Sequence, residues 1–277
     1  MLYLLPTPLG NLADVTLRTL QALQECDVLL CEDTRVAQKL LLLLEQKGKL
    51  LKKKREFFSF HSHNQVSFLE NISPDFFESC VGFMSDAGMP CVSDPGSILI
   101  GYAKHHKIPF EILPAGSAAT LAHAYSGLGD SGFVFDGFLP HKSNDRQKRL
   151  VFWKDVLNSQ DLALIVYESP HRLLDSLMDL QKIDQNCHVF VIKEMTKKFQ
   201  ASFEGNVVEV LQGIGETKIL GEWVLVLKFS KQEKEYKLGV LEVMHSDIPP
   251  KIKAKLLSQI TGESIKEWYH RIIKEGK

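Results

Sequence analysis

Cysteine is scarce in this chain and unpatterned. The 277 residues hold five cysteines, Cys26, Cys31, Cys80, Cys91 and Cys187, an odd set without any C-x-x-C spacing. That pattern argues against a disulfide framework or a thiolate zinc site, and fits reduced thiols in a cytosol. Long apolar runs are missing too. Stretches such as Leu40 to Leu44 are far too short to cross a bilayer and read as buried helix. The opening residues Leu2-Tyr3-Leu4-Leu5 enter a strand-like run with no basic segment and no long apolar core, so no signal peptide is expected. Net charge is nearly absent: 33 basic residues face 34 acidic ones, leaving -1. This argues against a general polyanion-coating role and leaves nucleic-acid contact to local basic clusters. Neither G-x-G-x-x-G nor G-x-x-x-x-G-K-[ST] occurs where it would be needed, so neither a Rossmann dinucleotide site nor a P-loop is expected.

What is present is an alternation of strand-like and helix-like segments. Strands are expected over 2–5, 27–31, 81–84, 110–113, 133–138, 162–167, 188–192, 201–204 and 223–229. Leu173, Leu174, Leu177 and Leu180 share one helical face, and Ser169-Pro170 offers a hydroxyl cap and a first-turn proline for that helix. The alternation implies α/β layers, with parallel and antiparallel pairing mixed in the second half. A boundary is expected near Pro114-Ala115-Gly116, and another after Phe229, where Lys231-Gln232-Glu233-Lys234-Glu235 reads as a charged linker. Three parts follow: 1–116, 117–230 and 231–277. From Ile248 on, two short helices flank Thr261-Gly262-Glu263, and Ser264-Ile265-Lys266-Glu267 has capping-box spacing. The tail reads either as helix-turn-helix-like or as a plain helical hairpin packed on the body.

The loop Ser85-Asp86-Ala87-Gly88-Met89-Pro90-Cys91-Val92-Ser93-Asp94-Pro95-Gly96 carries the most information. It joins an apolar strand to an apolar helical pattern, which in open α/β sheets is where ligands bind. It holds two Ser-Asp-x-Gly turns; Asp86 to Gly88 is expected to meet a ligand, and Ser93 to Gly96 to shape the loop and start the helix. Glu32-Asp33-Thr34-Arg35 follows another strand and reads equally as a helix N-terminus or as a base and clamp at a pocket mouth. His61 and His63 alternate, but no further ligand is spaced for a metal. Lys52, Lys53, Lys54 and Arg55 precede aromatics, and Lys142, Arg146, Lys148 and Arg149 form a second basic stretch. Both read as phosphate contacts or as solvated charge.

Six ordered stretches carry a resemblance: Thr7 to Leu12, Glu32 to Arg35, Ser85 to Gly96, Gly137 to Pro140, Tyr167 to Arg172, and Glu194 to Lys197. Together they resemble the ribosomal RNA small subunit methyltransferase I family of the tetrapyrrole methylase superfamily, over about the first 230 residues. The chain departs from that family at the domain junction, where it reads Pro114-Ala115-Gly116-Ser117-Ala118 in place of Pro-Gly-Pro-Ser-Ala. Met89, Cys91 and Cys31 are further departures.

The resemblance implies a two-domain α/β fold, two sandwich domains with a small helical extension, and S-adenosylmethionine held between the domains. The implied cofactor contacts are Pro8, Asp86, Ala87, Gly88, Val92, Ser117, Ala118, Tyr167, Glu168 and Met195. It implies a cytoplasmic homodimer that methylates the 2′-hydroxyl of a decoding-centre cytidine in 16S rRNA, within the small ribosomal subunit. A base that takes the hydroxyl proton would help, and Glu32, Asp33 and Glu168 are unranked candidates. The alternatives are a tetrapyrrole-type methyltransferase on the same fold, and a non-catalytic RNA-binding or assembly protein.

Overall fold

The computed structural model describes residues 1–128, 132–158, 160–215, 218–231 and 239–275. Residues 232–235 of the expected charged linker lie outside the described residues. The chain divides into two compact units, Met1–Lys231 and Gln232–Lys277.

The first unit opens with β1 (Leu2–Leu5), α1 (Leu17–Glu25), β2 (Val28–Cys31), α2 (Thr34–Gln46), β3 (Glu56–Ser59), α3 (Gln65–Glu70), β4 (Val81–Met84), α4 (Ser97–His105) and β5 (Phe110–Ile112). The strands form one sheet in the order β3-β2-β4-β1-β5, with every pair parallel. Parallel strands require crossovers, and the helices that make them cover both faces. One face packs Leu2, Leu4, Leu30, Phe60, Phe83 and Leu99, and the other Leu5, Leu23, Leu29, Leu44, Met84 and Leu113. This double burial explains why β2 and β4 read as unbroken apolar runs. Each fully buried large side chain contributes roughly 1.5–3 kcal/mol.

The chain continues through α5 (Ala118–Ser126), β6 (Phe133–Phe138), α6 (Ser143–Leu157), β7 (Ala163–Glu168), α7 (Leu173–Ile183), β8 (His188–Lys193), β9 (Ala201–Asn206), α8 (Val207–Gly215) and β10 (Trp223–Lys228). The second sheet runs β6-β7-β10-β8-β9. Only β6 and β7 pair in parallel; the other three pairings are antiparallel, so the mixture expected of this half is present.

Three local expectations need correction. The strand β3 is not among the expected ones: its four residues, Glu56-Phe57-Phe58-Ser59, follow a charge run and occupy the sheet edge. The helix expected to start at Ser169-Pro170 begins at Leu173, with Arg172 in the cap position. The reason is that Ser169 is committed elsewhere: its N–H donates to Glu168 and its hydroxyl accepts from Arg172. Within the apolar run of α2, only Leu41 and Leu44 are buried; Leu42 and Leu43 face solvent, as helical periodicity dictates.

The second unit contains α9 (Val240–His245), α10 (Pro250–Thr261) and α11 (Ile265–Glu275) around a small core of Val243, Ala254, Leu257 and Trp268. The capping box at the start of α11 is formed: Glu267 N–H donates to Ser264 Oγ at 3.3 Å, and Ser264 N–H to Glu267 Oε2 at 3.2 Å. The helix α9 precedes the two helices that the sequence suggested.

Candidate active site

Because β2, β4 and β1 are adjacent and parallel, the loops leaving their carboxyl ends emerge side by side. Backbone bonds then lock them together. Thr7 N–H donates to Gly88 O at 2.9 Å, and Gly88 N–H returns to Thr7 O at 3.1 Å. Asp33 N–H donates to Asp86 Oδ1 at 3.1 Å, and Asp86 N–H to Glu32 Oε2 at 3.4 Å. From the other sheet, Asn11 N–H meets Thr196 Oγ1 at 3.1 Å, and Ala119 N–H donates to the Tyr167 hydroxyl at 3.1 Å. Each contact joins segments far apart in sequence, so the two sheets share one cleft within the first unit.

The cleft holds a cavity of about 390 Å³, in the range of small-molecule sites. Its wall includes Glu32 from the end of β2, Asp86, Ala87, Gly88 and Val92 from the β4 loop, and Ser117 and Ala118 at the start of α5. Tyr167 and Glu168 from the end of β7 complete the expected set that it brings together. Ser117 is built for this place. Its hydroxyl caps α5 by accepting from Thr120 N–H, and the Thr120 hydroxyl closes the box on Ser117 N–H at 3.0 Å.

Other expected residues fall elsewhere. Pro8 lines a second cavity, of about 380 Å³, and Leu9 lines both. Met195 lies in the core with Ala119, Ile165, Phe190 and Val224. Asp33 is absent from the wall: it caps α2 and pairs with Arg35 at 2.6 Å, which holds its carboxyl down to about 2. Glu168 is on the wall but fully engaged. It pairs with Arg172 at 2.6 Å and accepts from Ser169 N–H at 2.7 Å and Ser176 Oγ at 2.5 Å.

The basic residues also separate. Lys52, Lys54, Lys142 and Lys148 are exposed. Lys53 bonds Asp27 at 2.9 Å and the carbonyls of Gln24 and Glu25. Arg55 and Arg146 are corrections: neither side chain is free to meet a phosphate. Arg55 is buried and donates to Leu23 O through Nε and Nη2. Arg146, 3% exposed, forks onto Asp179 at 2.9 and 2.6 Å and also bonds the carbonyls of Pro140 and His141. Arg149 pairs with Asp136 and lies over the rings of Phe152 and Trp153.

The wall also contains residues the sequence reading passed over: Asp94, Phe138, Gly221, Glu222, Trp223 and Val224. Asp94 is the most consequential. Its carboxyl is pushed up to about 7, first by burial, then by Glu32, with Asp86 and Glu222 adding to the repulsion. Glu32 is itself raised, chiefly by burial. The Tyr167 hydroxyl is pushed up to about 12 by burial, so it stays protonated. No lysine, arginine or histidine is on the wall among the described residues. The site is therefore an acidic recess that favours a cationic or proton-donating ligand and opposes a polyphosphate.

Comparison with known proteins is consistent with this geometry. Residues 1–211 match the family model of tetrapyrrole (corrin/porphyrin) methylases. A ribosomal RNA small subunit methyltransferase I of Helicobacter pylori strain J99 is 43% identical, with 100% of this chain and 99% of the relative covered. The Campylobacter fetus protein of the same name is 40% identical over 99% of this chain and 100% of the relative. Among solved structures, a uroporphyrin-III-C-methyltransferase from Thermus thermophilus superposes with a TM-score of 0.53 at 19% identity, covering 82% of this chain and 93% of that one. A cobalt precorrin-4 methyltransferase gives 0.54 at 17% identity, covering 81% and 93%. The last two establish likeness of fold alone.

Proposed function

The chain belongs to the tetrapyrrole (corrin/porphyrin) methylase family and to its ribosomal RNA small subunit methyltransferase I members, and from that premise we propose that it transfers a methyl group from S-adenosylmethionine to 16S rRNA. We assign the acceptor as the 2′-hydroxyl of a decoding-centre cytidine, the enzyme as a homodimer and the place as the cytoplasm, where small subunits are found. No helix among the described residues is long and apolar enough to cross a membrane. The three-part division at 116/117 and 230/231 belongs to the same reading.

The observation that carries the proposal is the cation-free acidic wall. The donor supplies, when bound, an activated methyl group on a positively charged sulfonium, beside an ammonium group. Glu32 and Asp86 suit both charges. These carboxylates contribute binding rather than rate, since the positive charge disperses as the methyl group leaves. What favours the RNA reading over the small-molecule one is the likeness over the full chain to ribosomal RNA methyltransferases at 43% and 40% identity.

Rate comes from alignment and from proton removal. Ser117 and Ala118 at the start of α5 and the locked loop Asp86 to Gly88 fix one side of the cleft, so little reorganisation is left at the moment of transfer. Among the carboxylates, Asp33 is paired with Arg35 and off the wall, and the oxygens of Glu168 are already taken by Arg172, Ser169 and Ser176. Asp94 takes the hydroxyl proton in this reading, with Glu32 beside it in charge and raising its affinity for that proton.

The test is direct. Small subunits from cells lacking this protein are incubated with it and methyl-labelled S-adenosylmethionine, and 16S rRNA nucleosides are resolved by mass spectrometry. Label in one 2′-O-methylcytidine is expected. Label absent from RNA, or found on a base, overturns the assignment.

A further inference from the structure

One aromatic ring on the cavity wall has no partner that uses its outer face. Phe138 is 58% exposed, unusual for a ring at a cleft, and its inner edge meets Tyr167 with centroids 5.5 Å apart at 73°. Tyr167 is in turn fixed, by Phe135 at 4.8 Å and by the Ala119 N–H bond to its hydroxyl.

The strand is bent to put Phe138 there. Phe135 pairs with Ile165, but Phe138 pairs with Tyr167, so β6 carries one extra residue over this stretch. Such a bulge re-aims the side chain that follows it. Gly137 absorbs the kink at φ +70°, and a Cβ there would lie 3.2 Å from Ser93 Oγ.

The backbone beyond the ring is pinned. Leu139 is buried, and its carbonyl accepts from Arg172 Nη1 at 3.0 Å. The carbonyls of Pro140 and His141 accept from Arg146, which Asp179 holds. Two arginines at buried ion pairs thus hold an exposed ring still. His141 and Lys142 follow immediately, both exposed. The other strongly exposed rings differ: Tyr125 lines the second cavity, Phe152 lies under Arg149 and Phe199 beside Lys198, and none of the three lines this one.

A rigid, exposed ring at a cavity rim, with an exposed lysine four residues further along the chain, is the arrangement that receives an unstacked nucleobase. We propose that Phe138 is the platform on which the base of the target nucleotide stacks while its ribose enters the cavity. The substrate is then a nucleotide out of helical stacking, recognised at this point by its face. The inference rests on the RNA methyltransferase reading above. The ordering cost of the platform is already met in the folded protein, so stacking contributes to RNA affinity with little loss.

Phe138→Leu, Phe138→Ala and Phe138→Tyr are compared with wild type on small subunits under steady state. KM for the subunit is measured at saturating S-adenosylmethionine, and donor affinity separately by calorimetry. Phe138→Ala and Phe138→Leu are expected to raise KM about ten- to a hundredfold with donor affinity unchanged, and Phe138→Tyr to recover most of the loss. A wild-type KM in Phe138→Leu overturns the stacking role. A parallel loss of donor affinity assigns the ring to the donor pocket and overturns it too. A wild type that binds donor but transfers nothing to RNA overturns the functional reading itself, and this inference with it.

Discussion

The proton balance of the cleft turns on Asp94. Its carboxyl titrates near 7 because burial and the neighbouring Glu32, Asp86 and Glu222 all oppose its charge. Two consequences run in opposite directions. As a proton acceptor it works only when ionised, so turnover is expected to rise with pH through about 7. Stability follows the reverse course. The folded-state value lies above that of an unfolded aspartate, so the stabilisation from holding the proton is full below about 4 and is lost as pH climbs through about 7. Glu32→Gln removes the largest electrostatic cause, so the rising limb of the pH–rate profile is expected to move to lower pH. Asp94→Asn is expected to abolish the limb and lower kcat about a hundredfold or more. A profile unmoved by either substitution refutes the assignment. None of this was legible in the sequence, where Asp94 sits in a Ser-Asp-Pro-Gly turn that looks like a spacer beside the almost identical Ser-Asp-Ala-Gly turn. Only the fold brings both of these similar turns onto one cavity wall.

At the scale of elements, the alternation of apolar runs disclosed nearly every strand, since burial on both sheet faces leaves β2, β4 and β7 uninterrupted. What stayed hidden was geometry within an element. The bulge in β6 leaves no mark except Gly137, and one glycine has many explanations. Its structural weight is measurable. Gly137→Ala meets both the positive φ and the Ser93 hydroxyl, and is expected to cost about 1–2 kcal/mol, read as a lower midpoint in urea denaturation. The wall supplied by Gly221 to Val224 was equally silent, because the start of a central strand reads only as core.

For the molecule as a whole, charge is divided rather than abundant. The near-zero net charge hides an acidic recess, and the cations available for RNA are fewer than the sequence suggests. Arg146 and its partner Asp179 lie 33 residues apart, so nothing local betrays their pairing. With Lys52, Lys54, Lys142 and Lys148 as the exposed lysines of the two basic stretches, RNA affinity is expected to fall with a log–log salt slope of only about -3 to -4. Filter binding of 16S rRNA between 50 and 200 mM salt, about a 60- to 250-fold loss, checks this. A much steeper slope would mean that other cations carry the contact.

The single side chain of Leu9 stands between the two cavities, over Gly88, where a Cβ would come within 3.0 Å of Leu9 Cδ2. Shortening it to alanine opens a bump-and-hole design, in which a donor with a propargyl group on sulfur is expected to gain room beside Gly88. Leu9→Ala is expected to tag rRNA with alkynes that wild type leaves unlabelled, turning a partition wall into a handle for marking ribosomes.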